Sequence, residues 1–292
     1  MLVWLNGTCI DAREARVGLL DGGYLYGDGV FETVRLYLGR PFDLEGHLDR
    51  MTRQLEILEY DWRPDVDVFR DGINALLIAN GWTDRDARCR LTVSRGGLPD
   101  DPLPLSGHRR LIPTVSIIVQ PVGDILEAWQ EAGIAVFTMP GEFARGNFPH
   151  LKTLNYLPTI MALRHARAHG CDEALLIDND GWILEGATSN VFIVEGGTLK
   201  TPPLALGLLP GRTRAMVLEL AGDLELECGE HSFRVEDLRT ADEAFVCGSV
   251  KEIVPIVAVD GRPAAGGQPG PVTRRLQEAY RRGVRDTLGG RN

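Results

Sequence analysis

Gln120-Pro121-Val122-Gly123 is where the chain divides. Proline fixes φ and removes a donor, glycine loosens the backbone, and beyond them the run of elements starts afresh. The stretch therefore reads as a linker between an N-terminal domain over 1–119 and a larger C-terminal one over 120–292. Just before it, apolar alternation predicts strands at 89–94 and 114–119 around a Pro/Gly/Asp-rich loop, 95–113, long enough to suggest a function of its own. Further back, Asn6-Gly7 supplies the positive φ angles of a hairpin turn, a strand is predicted over 30–38, and three- and four-residue apolar spacing predicts helices over 44–58 and 65–80. Beyond the linker the pattern predicts helices near 124–132, 155–168, 210–220 and 271–282. Strands are predicted at 134–139, 174–178, near 183, and at 190–194, 244–247 and 253–259. Strands and helices mix without regular βαβ alternation, which gives an α+β fold of two domains.

Composition narrows the function. With 292 residues the chain is long enough for two cores, and 31 basic against 41 acidic residues leave a net charge of −10, so a nucleic acid would be repelled on average. No apolar run reaches the roughly 18 residues of a membrane span, and no basic segment followed by an apolar one opens the chain. A cytoplasmic protein with no membrane or nucleic-acid partner is expected. Cys9, Cys89, Cys171, Cys228 and Cys247 form no C-x-x-C pair and read as reduced thiols. His165 and His169 share a helix face without a glutamate in H-E-x-x-H spacing, so no metal site is expected. There is no Gly-x-Ser-x-Gly elbow, and Gly27-Asp-Gly-Val-Phe-Glu32 is neither a P-loop nor a dinucleotide fingerprint.

Only three of the 31 basic residues are lysines: Lys152, Lys200 and Lys251. Codon bias explains the scarcity, yet it shortens the search for a deprotonatable amine. Phe148-Pro-His-Leu-Lys152-Thr-Leu-Asn155-Tyr156 sets a lysine among apolar neighbours just before a helix that Asn155 would cap. Desolvation and a helix N-terminus both favour the free amine. Ile183-Leu-Glu185-Gly-Ala-Thr-Ser-Asn190 puts a carboxylate where an apolar strand meets a turn. A lysine, an acid and phosphate donors are the parts pyridoxal phosphate requires. An exposed lysine, a strand-end glutamate and ordinary turn residues would read the same way.

Six blocks resolve that ambiguity by resemblance. Tyr26-Gly-Asp-Gly-Val-Phe31-Glu-Thr-Val-Arg35, His47-Leu-Asp-Arg50-Met, Lys152-Thr-Leu-Asn-Tyr, Leu184-Glu185-Gly-Ala-Thr-Ser-Asn-Val-Phe192, Leu209-Pro-Gly-Arg-Thr213-Arg214 and Gly248-Ser249-Val-Lys-Glu252-Ile-Val-Pro255 span nearly the whole chain. Their order and gaps resemble the class IV, fold-type IV pyridoxal-phosphate-dependent aminotransferases, a family that includes D-amino-acid aminotransferases, branched-chain aminotransferases and aminodeoxychorismate lyases. The resemblance implies a cofactor in the interdomain cleft and a homodimer whose partner's loop helps line the substrate pocket. Lys152 would form the Schiff base and move the proton. Glu185 would pair with the pyridine nitrogen, and Arg50 would grip the phosphate. Arg212, Thr213, Ser249 and Val250 would complete the phosphate cup.

Among the branches, Phe31-Glu-Thr-Val-Arg35 departs from the Phe-Glu-Gly-Ile-Arg usual in branched-chain enzymes, and Thr188-Ser-Asn190 from their Gly-Glu-Asn. These differences lean towards transamination of D-amino acids with a 2-oxo acid, with L-branched-chain substrates as the nearer variant. Thr33 matches a threonine of the lyases, so release of pyruvate and 4-aminobenzoate is the alternative. The 95–113 loop carries neither the Arg-x-His of the D-amino-acid enzymes nor the Gly-Gly-Arg-Gly-Tyr of the lyases. Tyr24, Tyr26, Phe31, Thr33 and Arg90 are the candidates for substrate contact, with Arg109 and Arg110 behind them. Arg90 leads because a guanidinium in an apolar strand must find a partner.

Overall fold

The computed structural model describes residues 1–97, 112–140, 143, 148 and 150–289. The chain forms two compact units: Met1–Val122 with Leu151–Asn155, and Gly123–His150 with Tyr156–Asn292.

The N-terminal unit is one antiparallel sheet covered by two helices. Its elements are β1 (Leu2–Leu5), β2 (Thr8–Asp11), the short α1 (Gly22–Tyr26), β3 (Gly29–Tyr37), β4 (Arg40–Pro41), α2 (Leu44–Ile57), α3 (Val66–Asn80), β5 (Ala87–Ser94) and β6 (Thr114–Pro121). The strand order is β2-β1-β6-β5-β3-β4. Alternation decides the faces. Val30, Val34 and Leu36 of β3, Cys89, Leu91 and Val93 of β5, and Val115, Ile117 and Val119 of β6 enter one core with Leu44, Leu48, Met51 and Leu55 of α2 and Phe69, Ile73 and Leu76 of α3. The intervening residues Phe31, Thr33, Arg90 and Thr92 share the opposite face, in the register Phe31 with Thr92 and Thr33 with Arg90.

The expected linker begins too early. Gln120 and Pro121 still pair with Arg88 and Ala87 as the last residues of β6, and the units part after Val122. A proline is tolerated there because it ends the strand rather than interrupting it. The segment expected in the C-terminal domain, Lys152 with its neighbours, packs instead with the N-terminal unit. Phe31 N donates to Lys152 O (2.9 Å), Leu154 N to Gly29 O (3.0 Å), and Val30 bridges Thr153. Residues 152–154 thus extend the sheet along the edge of β3. Gly29 permits this approach, since a Cβ there would lie 2.5 Å from Val93 O and 2.7 Å from Leu154 Cδ1.

The C-terminal unit comprises α4 (Ile125–Ala132), β7 (Ile134–Met139), α5 (Leu157–Ala168), β8 (Glu173–Ile177), β9 (Ile183–Gly186), β10 (Asn190–Glu195), β11 (Thr198–Thr201), α6 (Arg212–Asp223), β12 (Cys228–Glu230), α7 (Val235–Thr240), β13 (Glu243–Gly248), β14 (Glu252–Val259), β15 (Arg262–Pro263) and α8 (Pro271–Gly289). Its strands run β12-β11-β10-β13-β14-β7-β8-β9, with β15 on β14. Pairing is parallel between β11 and β12, β14 and β7, and β7 and β8, and antiparallel elsewhere. The sheet is mixed, and with the first unit it makes the α+β arrangement expected. α5 starts at Leu157 with Pro158 in its first turn and Tyr156 as the cap residue, so Asn155 is not the cap. All five cysteines are free. Among the described residues no helix is long and apolar enough to cross a membrane.

Candidate active site

In the N-terminal unit the candidates gather on the outer face of β3. Phe31 is buried, and Arg90, its diagonal neighbour on β5, lays its guanidinium over the ring at 3.6 Å from the centroid. The Lys152 Nζ lies 4.5 Å from the same centroid. An amine and a guanidinium therefore converge on one aromatic ring, with Thr33 directly across from Arg90. Tyr24 and Tyr26 sit on α1 and are exposed. That helix is fixed by Asp21, whose buried carboxylate accepts from Gly23 N (2.7 Å), Ser94 Oγ (2.8 Å) and Thr114 Oγ1 (2.7 Å). Arg109, Arg110 and the greater part of the 95–113 loop lie outside the described residues.

Beneath Lys152, on the core side of the sheet, lies a charged network that sequence reasoning missed. Glu32 is fully buried in β3 and takes a bidentate pair from Arg50, Nε to Oε1 at 2.7 Å and Nη2 to Oε2 at 2.6 Å. His47 Nδ1 shares Oε2 at 2.7 Å. His47, Arg50 and Gln54 fall three and four residues apart on α2, one face of the helix. Burial alone would raise the Glu32 pKa. The Arg50 charge and the hydrogen bonds from His47 and Arg50 outweigh it and hold the carboxyl well below the usual range. Gln54 joins this network to the site, since its Oε1 accepts the Lys152 amide at 2.6 Å. Arg50 is thus a buried partner of Glu32 rather than an exposed helix residue. The available signal was the one applied to Arg90: a carboxylate inside Val30-Phe-Glu-Thr-Val34 must find a partner.

In the C-terminal unit three turns carry the remaining candidates. Glu185, buried at the end of β9, accepts Leu209 N at 3.2 Å on Oε2. Leu209 O in turn accepts Asn190 Nδ2 (3.0 Å), so the strand end and the 208–211 turn are tied together. Gly211 follows as the N-cap of α6 and supplies no capping side chain. A Cβ there would fall 1.9 Å from Asn190 Oδ1, so only glycine lets the helix start this close. Arg212 and Thr213 open that helix. Ser249 and Val250 form the turn between β13 and β14, where Gly248 pairs with Glu252. The donor set fits a phosphate: first-turn amides at the positive end of a 12-residue helix with Thr213, and two turn amides with a serine hydroxyl. The buried Glu185 carboxylate suits a protonated ring nitrogen.

The other two lysines are committed to carboxylates. Lys200 pairs with Glu195, and Lys251 with the buried Glu173.

Comparison with known proteins places this arrangement. The amino-transferase class IV family profile matches residues 29–259. A putative branched-chain-amino-acid aminotransferase of Methanocaldococcus jannaschii is 37% identical over 283 residues, 96% of each chain. An aminodeoxychorismate lyase of Bacillus subtilis is 33% identical over 99% of this chain and 98% of its own. The crystal structure of a branched-chain aminotransferase from Thermoproteus uzoniensis with norvaline superposes with a TM-score of 0.85 at 34% identity, covering 100% of this chain and 96% of that one. The chain belongs to the class IV aminotransferases, enzymes of fold type IV that use pyridoxal phosphate.

Proposed function

We propose that this enzyme moves an amino group between an aliphatic amino acid and a 2-oxo acid, by alternating half-reactions, with the L-branched-chain donors preferred. The observation that carries the reading is the convergence of Lys152 and Arg90 on the Phe31 ring, a base beside an anion-binding group on one sheet face. Preference for a branched-chain donor is supported by the branched-chain relatives above, against the motif differences that lean to the D series.

Bound pyridoxal phosphate supplies an electron sink for the substrate Cα. Lys152 holds the cofactor and takes and returns the proton at that carbon. Its backbone is fixed by β3 on one side and Gln54 on the other, so the amine turns on its own side chain alone. Glu185 keeps the ring nitrogen protonated. Thr213, Ser249 and the amides of Arg212 and Val250 bind the phosphate, with Arg50, its plane set by Glu32, as the charge partner. Arg90 takes the substrate carboxylate, oriented by the Phe31 face. The same reading makes the enzyme a homodimer, which sedimentation of the holoenzyme tests.

A second reading, the lyase that releases pyruvate from aminodeoxychorismate, is favoured by Thr33, whose cross-strand partner is Arg90, and by the Bacillus subtilis relative. One titration separates the two. Paired L- and D-amino acids are mixed with the holoenzyme and the absorbance of the bound cofactor is followed. A shift with L-leucine and L-valine, reversed by a 2-oxo acid, is the expected result. No shift with amino acids of either hand, together with pyruvate released from aminodeoxychorismate without an acceptor, overturns transamination.

A further inference from the structure

We propose that Lys251 is a positioning residue, one that fixes the spacing between the Ser249–Val250 turn and the Glu185 strand end by clamping the turn onto Glu173 and Thr188. The inference rests on the reading of Ser249 and Val250 as phosphate donors and of Glu185 as the ring-nitrogen partner.

Two turns of the C-terminal unit meet at this clamp. One is 249–251, between β13 and β14. The other is 187–189, between β9 and β10, which starts two residues after Glu185. Glu173 of β8 is fully buried beneath the second turn. Its Oε2 accepts Thr188 Oγ1 (2.8 Å), Ser189 Oγ (3.1 Å) and the Lys251 ammonium, and its Oε1 accepts Ala174 N (3.1 Å). Lys251 also donates to Thr188 Oγ1 at 2.8 Å, so that hydroxyl accepts from the lysine while donating to the glutamate. The 187–189 turn is anchored independently, through Ala187 N to Ala174 O at 2.8 Å. What Lys251 adds is the link to the other turn.

That other turn needs holding. Glu252, at its exit, has φ 58, a left-handed conformation that a non-glycine residue keeps only when its surroundings impose it. From one side the buried Gln130 Nε2 donates to Lys251 O (2.9 Å) and Glu252 Oε2 (3.1 Å). From the other the Lys251 side chain reaches Glu173. Burial would raise the Glu173 pKa, but the Lys251 charge and the hydrogen bonds of Lys251, Thr188 and Ala174 N hold it low. A buried ion pair is a poor means of gaining stability, because apolar residues of the same volume do as well. Fixing where two polar turns sit relative to each other is a task apolar residues do not perform. In a chain that uses arginine almost everywhere, the compact lysine head fits a slot shared by one carboxylate and one hydroxyl.

The test compares the full-length Lys251→Met, Thr188→Val and Ser249→Ala variants with the parent, each freed of cofactor and titrated with pyridoxal phosphate and with pyridoxal, which lacks the phosphate. The ratio read is the dissociation constant for pyridoxal divided by that for pyridoxal phosphate. A loss of global stability weakens both ligands together, whereas a displaced phosphate turn weakens only the first. The expected result is a ratio reduced about tenfold in Lys251→Met and several-fold in Thr188→Val. An unchanged ratio in Lys251→Met with a reduced one in Ser249→Ala overturns the clamp and leaves the phosphate reading standing. An unchanged ratio in all variants overturns both. If Lys251→Met does not fold, Thr188→Val decides in the same way.

Discussion

Both units bury a glutamate in a strand next to a candidate catalytic segment, and they use it differently. In the N-terminal unit Glu32 faces two side chains of a single helix, Arg50 and His47, and Gln54 of the same helix holds the Lys152 backbone. In the C-terminal unit Glu173 faces one ammonium and two hydroxyls, each of them from a turn. The first network stiffens a helix against a sheet, and the sheet then holds the lysine segment by ordinary strand pairing. The second is itself the fastening between two turns. A segment that joins a ladder needs little help from side chains, while residues on hairpin ends need a dedicated anchor. The Lys152 segment thus lies on a backbone ladder, and the 249–251 turn on an anchor built from side chains.

Substitutions sharpen this contrast. The largest effect is expected from Lys152→Ala, with kcat falling by about 10²- to 10⁴-fold, the range of a lost positioned proton carrier. Steady-state rates with the preferred donor check it, and a near-normal rate removes Lys152 from the mechanism. Glu32→Gln leaves Arg50 buried without its counter-charge and is expected to lower stability by about 3–5 kcal/mol, measured by urea unfolding. The same carboxyl sets an acid limb. Its pKa is depressed in the folded chain, so its contribution is complete above the ordinary value of 4.5 and is lost as pH falls below that point. Unfolding curves from pH 6 to pH 3 should steepen in the parent and flatten in Glu32→Gln.

Gln54→Leu is expected to cost about 1–3 kcal/mol, because the Lys152 amide loses its acceptor. Its rate should fall further than a comparable loss of stability elsewhere would produce, and a normal kcat would show that the ladder alone holds the segment. Smallest of all, Lys200→Ala breaks a surface pair with Glu195 and should change stability by less than about 1 kcal/mol.

Much of this was legible in the chain itself, and the misses share a cause. The Asn6-Gly7 turn, β3, α2 and α3 follow from local pattern, and the structure places them within a residue or two. Lys152 stood out because lysine is scarce. Asn155 as a helix cap failed because residues 151–155 answer to a strand 120 residues earlier, and Pro158 was the better mark of the helix start. β11, β12 and β15 have four residues or fewer, too short for a periodicity to show. Glu173 and Lys251 are 78 residues apart, and only the folded sheet brings them together.

The return of residues 151–155 to the edge of β3 also bears on how the protein is made. When a ribosome has released only the first 122 residues, the main-chain groups of Phe31 and Gly29 have no partner from the later chain, and a bare strand edge of that kind invites pairing with another nascent copy. Translation must run about 30 residues further before the amino-terminal sheet is sealed, and the peptide that seals it is the one bearing Lys152.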